Sequence, residues 1–302
     1  MDKESMIKRI KELKLQKNAV IVAHNYQIPE IQDLADFSGD SLELARKTAA
    51  AKESLIIFCG VRFMAETAKI LSPNKKVVIP RMDAGCPLAD CVTAEQVKEY
   101  RIKYPDAMIA GYVNTNADVK VLLDVCVTSA NAIDIVRKLP SKRVVFLPDK
   151  NLGYWVQKNV PEKEIIIHQG ACIVHQMFKK EDIIKSREAH PGVKIIVHPE
   201  CPPEVVDLAD EVASTAGMIK YIKESKDTKF IIGTEEGHLH RLKKERPDAQ
   251  FFSLGSAKIC VNMKKTRLED VLKALETETP EILLDDNIIK NAIKPIEKMV
   301  AL

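Results

Sequence analysis

Short apolar runs alternate with longer stretches of helical periodicity along most of this chain. The runs are rich in Val, Ile and Ala, as in AVIVAHNY (19–26), SLIIFCG (54–60) and KKVVIP (75–80). Charged, amphipathic stretches such as SLELARKTAAA (41–51) lie between them. Continuous Val/Ile-rich runs separated by helices are typical of parallel strands joined by crossover helices. The pattern therefore predicts an α/β fold.

The same order of elements occurs three times. Each copy has an opening helix, then three strands alternating with two helices, then a loop that carries a cysteine. Internal repetition at a fixed period indicates repeated structural units. We therefore predict three homologous βαβαβ units with parallel sheets, arranged about a pseudo-threefold axis. Their predicted bounds are 1–88, 89–176 and 177–265, and we expect the tail, 266–302, to pack back on the first unit.

Polar residues recur at matching positions in the three copies. A shared βαβ rhythm alone would be a weak argument for repetition, but four registered positions, one of them always cysteine, are a stronger one. The four sets are His24, Tyr112 and His198; Tyr26, Asn114 and Glu200; Ser41, Ser129 and Thr215; and Cys86, Cys172 and Cys260.

These positions lie where a parallel sheet binds its ligands, beyond the carboxyl ends of the strands. Ser41, Ser129 and Thr215 lie at or just before the first turn of the following helices. Taken singly, each hydroxyl is best interpreted as an N-cap. Three in register beside three cysteine loops favour one shared site, where helix N-termini would face a small anion.

The seven cysteines do not form a disulfide or zinc-knuckle pattern. Their number is odd, no CxxC pair occurs, and Cys59 and Cys126 lie in apolar runs that predict burial. Cys91 and Cys201 have no counterparts in the other copies, so we interpret them as bystanders. Three thiolates leave one position open in either a tetrahedral zinc site or a cubane cluster, and spacing does not choose between them.

Other histidines and Tyr26 allow simpler interpretations. His168 and His175 flank Cys172 without counterparts in the other copies, which gives them at most a supporting role. His238 and His240 are predicted to lie on a surface helix. Tyr26 could be a packing residue, and His198, which precedes a proline, could simply end a strand.

Composition argues against nucleic-acid and membrane partners. The 46 basic and 43 acidic residues give a net charge of only +3, no basic block occurs, and aromatic residues make up 5%. No apolar run approaches the roughly 18 residues of a membrane span. The charged, amphipathic start does not look like a secretory signal, so we expect a cytoplasmic protein.

Longer motifs resemble the quinolinate synthase family, the iron–sulfur enzymes of de novo NAD biosynthesis. The resemblance runs essentially end to end, through AHNYQ, DLADFSGDSLELA, DAGCPLADC, GYVNTNADVK, CVTSANA, PDKNLG, HQGACIVH, HPECPPEV, ASTAGM, GTEEG and CVNMK. It implies a [4Fe–4S] cluster bound by Cys86, Cys172 and Cys260, with one iron open to substrate. It also implies condensation of iminoaspartate with dihydroxyacetone phosphate to quinolinate, phosphate and two waters. Some members carry a CxxCxxC segment at the third cysteine, which is absent here.

Roles follow for the registered residues if the resemblance holds. His24, Ser41, Ser129 and Thr215 would bind carboxylate or phosphate, while Tyr112 and Asn114 would hold substrate beside the cluster. Tyr26, His198 and Glu200 would be the general acids and bases. Functional coupling to the enzyme that supplies iminoaspartate is a further expectation. The rival functions are a non-catalytic iron–sulfur sensor and a hydrolase or lyase with zinc bound by three cysteines.

Overall fold

The computed structural model describes residues 1–301, in which the predicted α/β architecture is confirmed. That range holds three four-stranded sheets, and every strand pair in them is parallel. The strand orders are β2-β1-β3-β4, β6-β5-β7-β8 and β10-β9-β11-β12, so all three sheets share one connectivity. One connectivity used three times is what three homologous units require.

The first unit consists of α1 Lys3–Gln16, β1 Ala19–His24, α2 Pro29–Leu34, β2 Phe37–Gly39, α3 Ser41–Ala50, β3 Leu55–Cys59, α4 Arg62–Leu71 and β4 Lys76–Val78. The second consists of α5 Ala94–Lys103, β5 Met108–Tyr112, α6 Ala117–Lys120, β6 Val125–Val127, α7 Ala132–Lys138, β7 Arg143–Leu147, α8 Lys150–Asn159 and β8 Glu164–Ile167. The third consists of α9 Lys180–Ala189, β9 Lys194–Val197, α10 Pro203–Val206, β10 Glu211–Val212, α11 Thr215–Glu224, β11 Lys229–Gly233, α12 His238–Glu245 and β12 Gln250–Ser253. The tail forms α13 Leu268–Thr277 and α14 Asp286–Ala301.

Each unit has one strand more than the apolar pattern predicts. The additional strands β2, β6 and β10 span only two or three residues, too few for a period-two pattern to appear. An aspartate before each one ties it to the first strand: Asp36, Asp124 and Asp210 accept the backbone N–H of Ile21, Ile109 and Ile195 at 2.9, 2.7 and 2.9 Å. The repeat thus includes a structural carboxylate at the amino-terminal end of each added strand.

The core explains how the tail is held. Apolar residues of α14, including Ile296 and Met299, are fully buried in one cluster that spans the first two sheets. This helix contacts α3 and α4 of the first unit, and also α6 and β6 of the second. Helix α13 packs on α1 and β3, on the other face of the first sheet. Burial of apolar surface contributes about 25 cal/mol per Å² to stability, so these buried helix faces stabilise the junction between units.

Within residues 1–301, no helix combines the length and the apolar character that crossing a membrane would require.

Candidate active site

All twelve registered residues face one cavity. It lies at the carboxyl ends of the three sheets and takes residues from every unit. Its wall includes His24, Tyr26, Ser41, Cys86, Tyr112, Asn114, Ser129, Cys172, His198, Glu200, Thr215 and Cys260. Asp40, Phe63, His175, Glu235 and Met263 complete part of the same wall. The three units therefore bring residues that are distant in sequence to one site.

Strand register explains why the hydroxyls lie beside the ends of the first strands. His24, the last residue of β1, pairs with Gly39 at the end of β2, and Ser41 follows two residues later. Tyr112 likewise pairs with Val127, two residues before Ser129. The short added strands thus carry the hydroxyl residues to the sheet edge where the cavity lies.

The registered hydroxyls do not cap their helices. Asp40 caps α3, its Oδ1 accepting the N–H groups of Leu42 and Glu43 at 3.0 and 2.9 Å. Ser214 caps α11, its Oγ accepting the N–H of Gly217 at 3.1 Å. Since neighbouring residues satisfy these helix ends, the N-cap interpretation of Ser41 and Thr215 is wrong, and both hydroxyls line the cavity.

His24 and His198 are held alike. The Nδ1 atom of His24 accepts the N–H of Tyr26 at 3.2 Å, and that of His198 accepts the N–H of Glu200 at 3.3 Å. Burial lowers the pKa of both imidazoles to about 3, so both rings are neutral near pH 7. A neutral ring whose Nδ1 accepts must carry its proton on Nε2. Both histidines can therefore donate a hydrogen bond without bringing a charge.

Glu200 is a buried carboxylate with strong partners. The hydroxyl of Tyr112 donates to its Oε1 at 2.5 Å, and Nδ1 of His175 lies 2.9 Å from its Oε2. Burial alone would raise the pKa of Glu200, but His175 and the Tyr112 hydrogen bond outweigh that effect and hold the pKa low. The side chain is therefore an anion that is almost fully buried.

A chain of hydrogen bonds joins Tyr26 to Glu200. The hydroxyl of Tyr26 lies 2.6 Å from Thr234 Oγ1, and Thr234 Oγ1 lies 2.9 Å from His175 Nε2. His175 then reaches Glu200 through Nδ1. Burial raises the pKa of Tyr26 well above its usual value, and the charge of Glu200 adds to this. The hydroxyl of Tyr26 is therefore protonated near pH 7, and it can release its proton only to a base within the site.

His175 and Thr234 belong to this site although the repeat did not identify them. His175 Nδ1 also lies 3.2 Å from Cys172 Sγ, because His175 follows Cys172 by three positions and opens a short 3₁₀ helix. That spacing is the sequence signal that could have placed His175. His168 is different: it bonds Tyr100 and the carbonyl of Cys91, and it does not line the cavity.

The interpretation of His238 as a surface residue is wrong. The helix α12 does lie at the surface, and His240 bonds Asp33 there at 2.8 Å. His238, the first residue of this helix, is nevertheless fully buried. Burial lowers its pKa to about 3, and the nearby His24 and His198 add to this.

The cysteines separate into two groups. Cys86, Cys172 and Cys260 line the cavity, whereas the other four do not. Cys59, Cys126 and Cys201 are fully buried elsewhere, and Cys91 is exposed, its Sγ 3.2 Å from the carbonyl of Pro87. All seven are free thiols. The bystander interpretation of Cys91 and Cys201 agrees with these positions.

The three cavity cysteines are suited to a metal group. Burial raises the pKa of Cys86 to about 12 and also raises the pKa of Cys172 and Cys260. Thiolates in such surroundings require a neighbouring positive charge, which a metal supplies. The three sulfurs do not form a set as compact as Cys172, His175 and Glu200, whose ligand atoms all lie within 4.8 Å of one another.

Comparison with known proteins agrees with this site. The family model described as quinolinate synthetase A protein matches residues 8–301. The quinolinate synthase of Caldicellulosiruptor saccharolyticus is 54% identical over 302 residues, covering all of both chains. Those of Thermodesulfovibrio yellowstonii and Methanoregula boonei are each 50% identical, covering 98% and 100% of both chains. The chain therefore belongs to the quinolinate synthetase A family.

Proposed function

We propose that the chain is a quinolinate synthase, which condenses iminoaspartate with dihydroxyacetone phosphate to give quinolinate, phosphate and two waters. The observation that carries the proposal is the single cavity on which three cysteines, three hydroxyls and the Glu200 network converge. Relatives named quinolinate synthase that match along their full length support it. The enzyme that makes iminoaspartate is the expected functional partner.

The cofactor we propose is a [4Fe–4S] cluster held by Cys86, Cys172 and Cys260. A tetrahedral zinc, with Zn–S bonds of about 2.3 Å, would hold three sulfurs roughly 3.8 Å apart. The three sulfurs here do not form so compact a set. Wider spacing favours a cubane, in which each thiolate binds a different iron. When bound, the cluster would supply an open iron that acts as a Lewis acid on the leaving hydroxyl.

The hydroxyl groups and the neutral histidine His24 would bind the anionic groups of the substrates. Ser41, Ser129 and Thr215 surround the cavity from three units, and Ser41 and Thr215 open ten-residue helices. Donor groups at helix N-termini favour carboxylate and phosphate. His24 adds an Nε2–H donor without charge. The arrangement suits two substrates and a product that are all multiply anionic.

Substituting Ser41, Ser129 and Thr215 together with Ala should weaken quinolinate binding by about tenfold or more. A hydrogen bond to a charged group is worth roughly 1.5–3 kcal/mol, so the loss of even one of the three gives about tenfold. Calorimetry on the cluster-loaded protein would measure the dissociation constant. Ser225→Ala is a matched control, because Ser225 bonds Asp227 on the surface. Unchanged affinity in the triple variant would contradict the role.

Proton transfer would use the chain of residues from Tyr26 to Glu200. Ring formation requires C–C bonding, phosphate loss, isomerisation, imine closure and dehydration, all of which move protons. The carboxylate of Glu200 would accept a proton, Tyr26 would relay protons through its hydroxyl, and His198 would assist. Tyr112 and Asn114 would orient the substrate; Asn114 Oδ1 is buried and has no partner in residues 1–301.

Metal analysis and an anaerobic assay test the proposal together. Protein purified without oxygen should carry about four irons and four sulfides per chain, and it should form quinolinate from the two substrates. One zinc per chain with hydrolase or lyase activity would favour the zinc rival. A full cluster without quinolinate formation would favour the sensor.

A further inference from the structure

Strands β3, β7 and β11 are each tied to the cysteine loop of their unit by one backbone hydrogen bond that recurs in all three units. The donor lies three residues past the end of the strand, and the acceptor is the carbonyl two residues before the cysteine. The pairs are Arg62 N–H to Ala84 O at 2.9 Å, Lys150 N–H to Gly170 O at 2.7 Å, and Glu236 N–H to Lys258 O at 3.0 Å. These bonds fix where each loop leaves the sheet.

Two units add a carboxylate to this tie. Asp149 Oδ2 accepts the backbone N–H of Cys172 at 3.0 Å, and Glu235 Oε1 accepts that of Cys260 at 3.0 Å. Asp149 and Glu235 are matching residues, each two positions past its strand, and are 0% and 1% exposed. Val61 occupies the matching position in the first unit and has no side-chain acceptor.

We propose that Asp149 and Glu235 are positioning residues that hold the backbone of two cysteine ligands in the arrangement the cluster needs. The inference rests on the proposed function, since it takes Cys172 and Cys260 as ligands. Burying a carboxyl group is unfavourable unless its oxygens accept hydrogen bonds, so each of these side chains needs donors close by. The bonds it makes include the cysteine backbone in both units.

The contacts suit a carboxyl group rather than an amide. Both oxygens of Asp149 accept: Oδ1 takes the N–H of Leu152 at 2.8 Å while Oδ2 takes that of Cys172. Glu235 Oε2 similarly takes the N–H of Gly237 at 2.7 Å and the ammonium of Lys264 at 2.9 Å. Asparagine or glutamine would turn an NH₂ group toward one of these donors, because an amide has only one accepting oxygen.

The third-unit carboxylate also connects the cluster ligand with the proton-transfer chain. Lys264, four residues after Cys260, donates both to Glu235 and to the backbone carbonyl of Tyr26, the latter at 2.5 Å. Displacing Glu235 would therefore disturb the loop of Cys260 and the loop of Tyr26 together. Asp149 lacks this connection and instead joins the loop of Cys172 to the start of α8.

The test is the rate at which the loaded protein releases its cluster to a chelator. Asp149→Asn and Glu235→Gln should release it about tenfold faster than the wild type, the lower edge for losing a partner that orients a metal ligand. Loss of absorbance near the cluster band gives the rate, and the electron paramagnetic resonance spectrum of the reduced cluster should change shape. Asp210→Asn is the matched control, because Asp210 also accepts a backbone N–H but lies at the opposite end of its sheet.

Wild-type release rates in both variants, with an unchanged spectrum, would overturn the inference. Equally fast release in Asp210→Asn would also overturn it, because general loosening would then explain the effect. If an amide variant does not fold, Asp149→Glu and Glu235→Asp provide the test, since they keep the carboxyl group and move its oxygens. A wild-type chain that takes up no iron would overturn the proposed cofactor as well, which distinguishes the two failures.

Discussion

Replacing Cys172 with serine should remove the iron–sulfur cluster and abolish quinolinate formation. Cys172 is one of three thiols that face the cavity, and its sulfur lies 3.2 Å from His175 Nδ1. Two remaining thiolates cannot hold a cubane that has no fourth protein ligand. Iron and sulfide should fall below about a tenth of the wild-type content after anaerobic reconstitution, as expected when a metal ligand is lost. Colorimetric iron and sulfide assays measure this, and chromatography of the reaction mixture measures quinolinate.

The cysteines outside the cavity provide the controls for this experiment. Cys91→Ser alters an exposed thiol five residues past Cys86 and should keep a full cluster and full activity. Cys86→Ser and Cys260→Ser should behave like Cys172→Ser, because all three thiols line the same cavity. A Cys172→Ser protein that retains four irons would contradict the ligand assignment, and loss of iron in Cys91→Ser would show that the cluster uses a different cysteine.

The fold could be predicted from sequence wherever an element is long enough to show its period. The two central strands of each sheet, such as β1 and β3, are continuous apolar runs, and the amphipathic helices between them are about ten residues long. The added strands β2, β6 and β10 were missed because two or three residues cannot display an alternating pattern. Aspartates such as Asp124 hold these strands in place by accepting a backbone N–H of the first strand. They could not be recognised from the sequence, because no apolar run marked the strand that follows each of them.

The site was predicted where it is symmetric and missed where it is not. Register between the copies identified residues such as His24 and His198, whose Nδ1 contacts are the same in two units. His175 and Thr234 have no counterparts in the other units. Register between the copies therefore gave His175 only a supporting role and did not identify Thr234. Chemistry on an asymmetric substrate needs groups that differ among the units, and a repeat-based analysis cannot find them. The position of His238 was predicted wrongly because a charged helix predicts exposure for all its residues, whereas the first residue of this helix is buried.

Glutamine in place of Glu200 should lower turnover by about a hundredfold or more while leaving the cluster intact. The carboxylate accepts from Tyr112 at 2.5 Å and lies 2.9 Å from His175 Nδ1, so its charge organises both partners. His175 and the Tyr112 hydrogen bond hold the pKa of Glu200 low against the effect of burial, so the side chain is ionised near pH 7 and has a free lone pair that can accept a proton. An amide of the same size cannot take that proton, and loss of a general base typically costs 10²–10⁴-fold.

Steady-state assays should separate this loss from weaker binding. The fall should appear in kcat, because Glu200→Gln removes a group that acts on the reacting atoms, and the cluster absorbance should match the wild type. Tyr26→Phe should also lower kcat, by at least about tenfold, since it breaks the chain at Thr234. Glu66→Gln is the matched control: Glu66 is also buried, but it accepts the N–H of Ala117 and does not line this cavity. Full turnover in Glu200→Gln would remove the carboxylate from the proton-transfer path and leave Tyr112 and His175 without the partner that orders them.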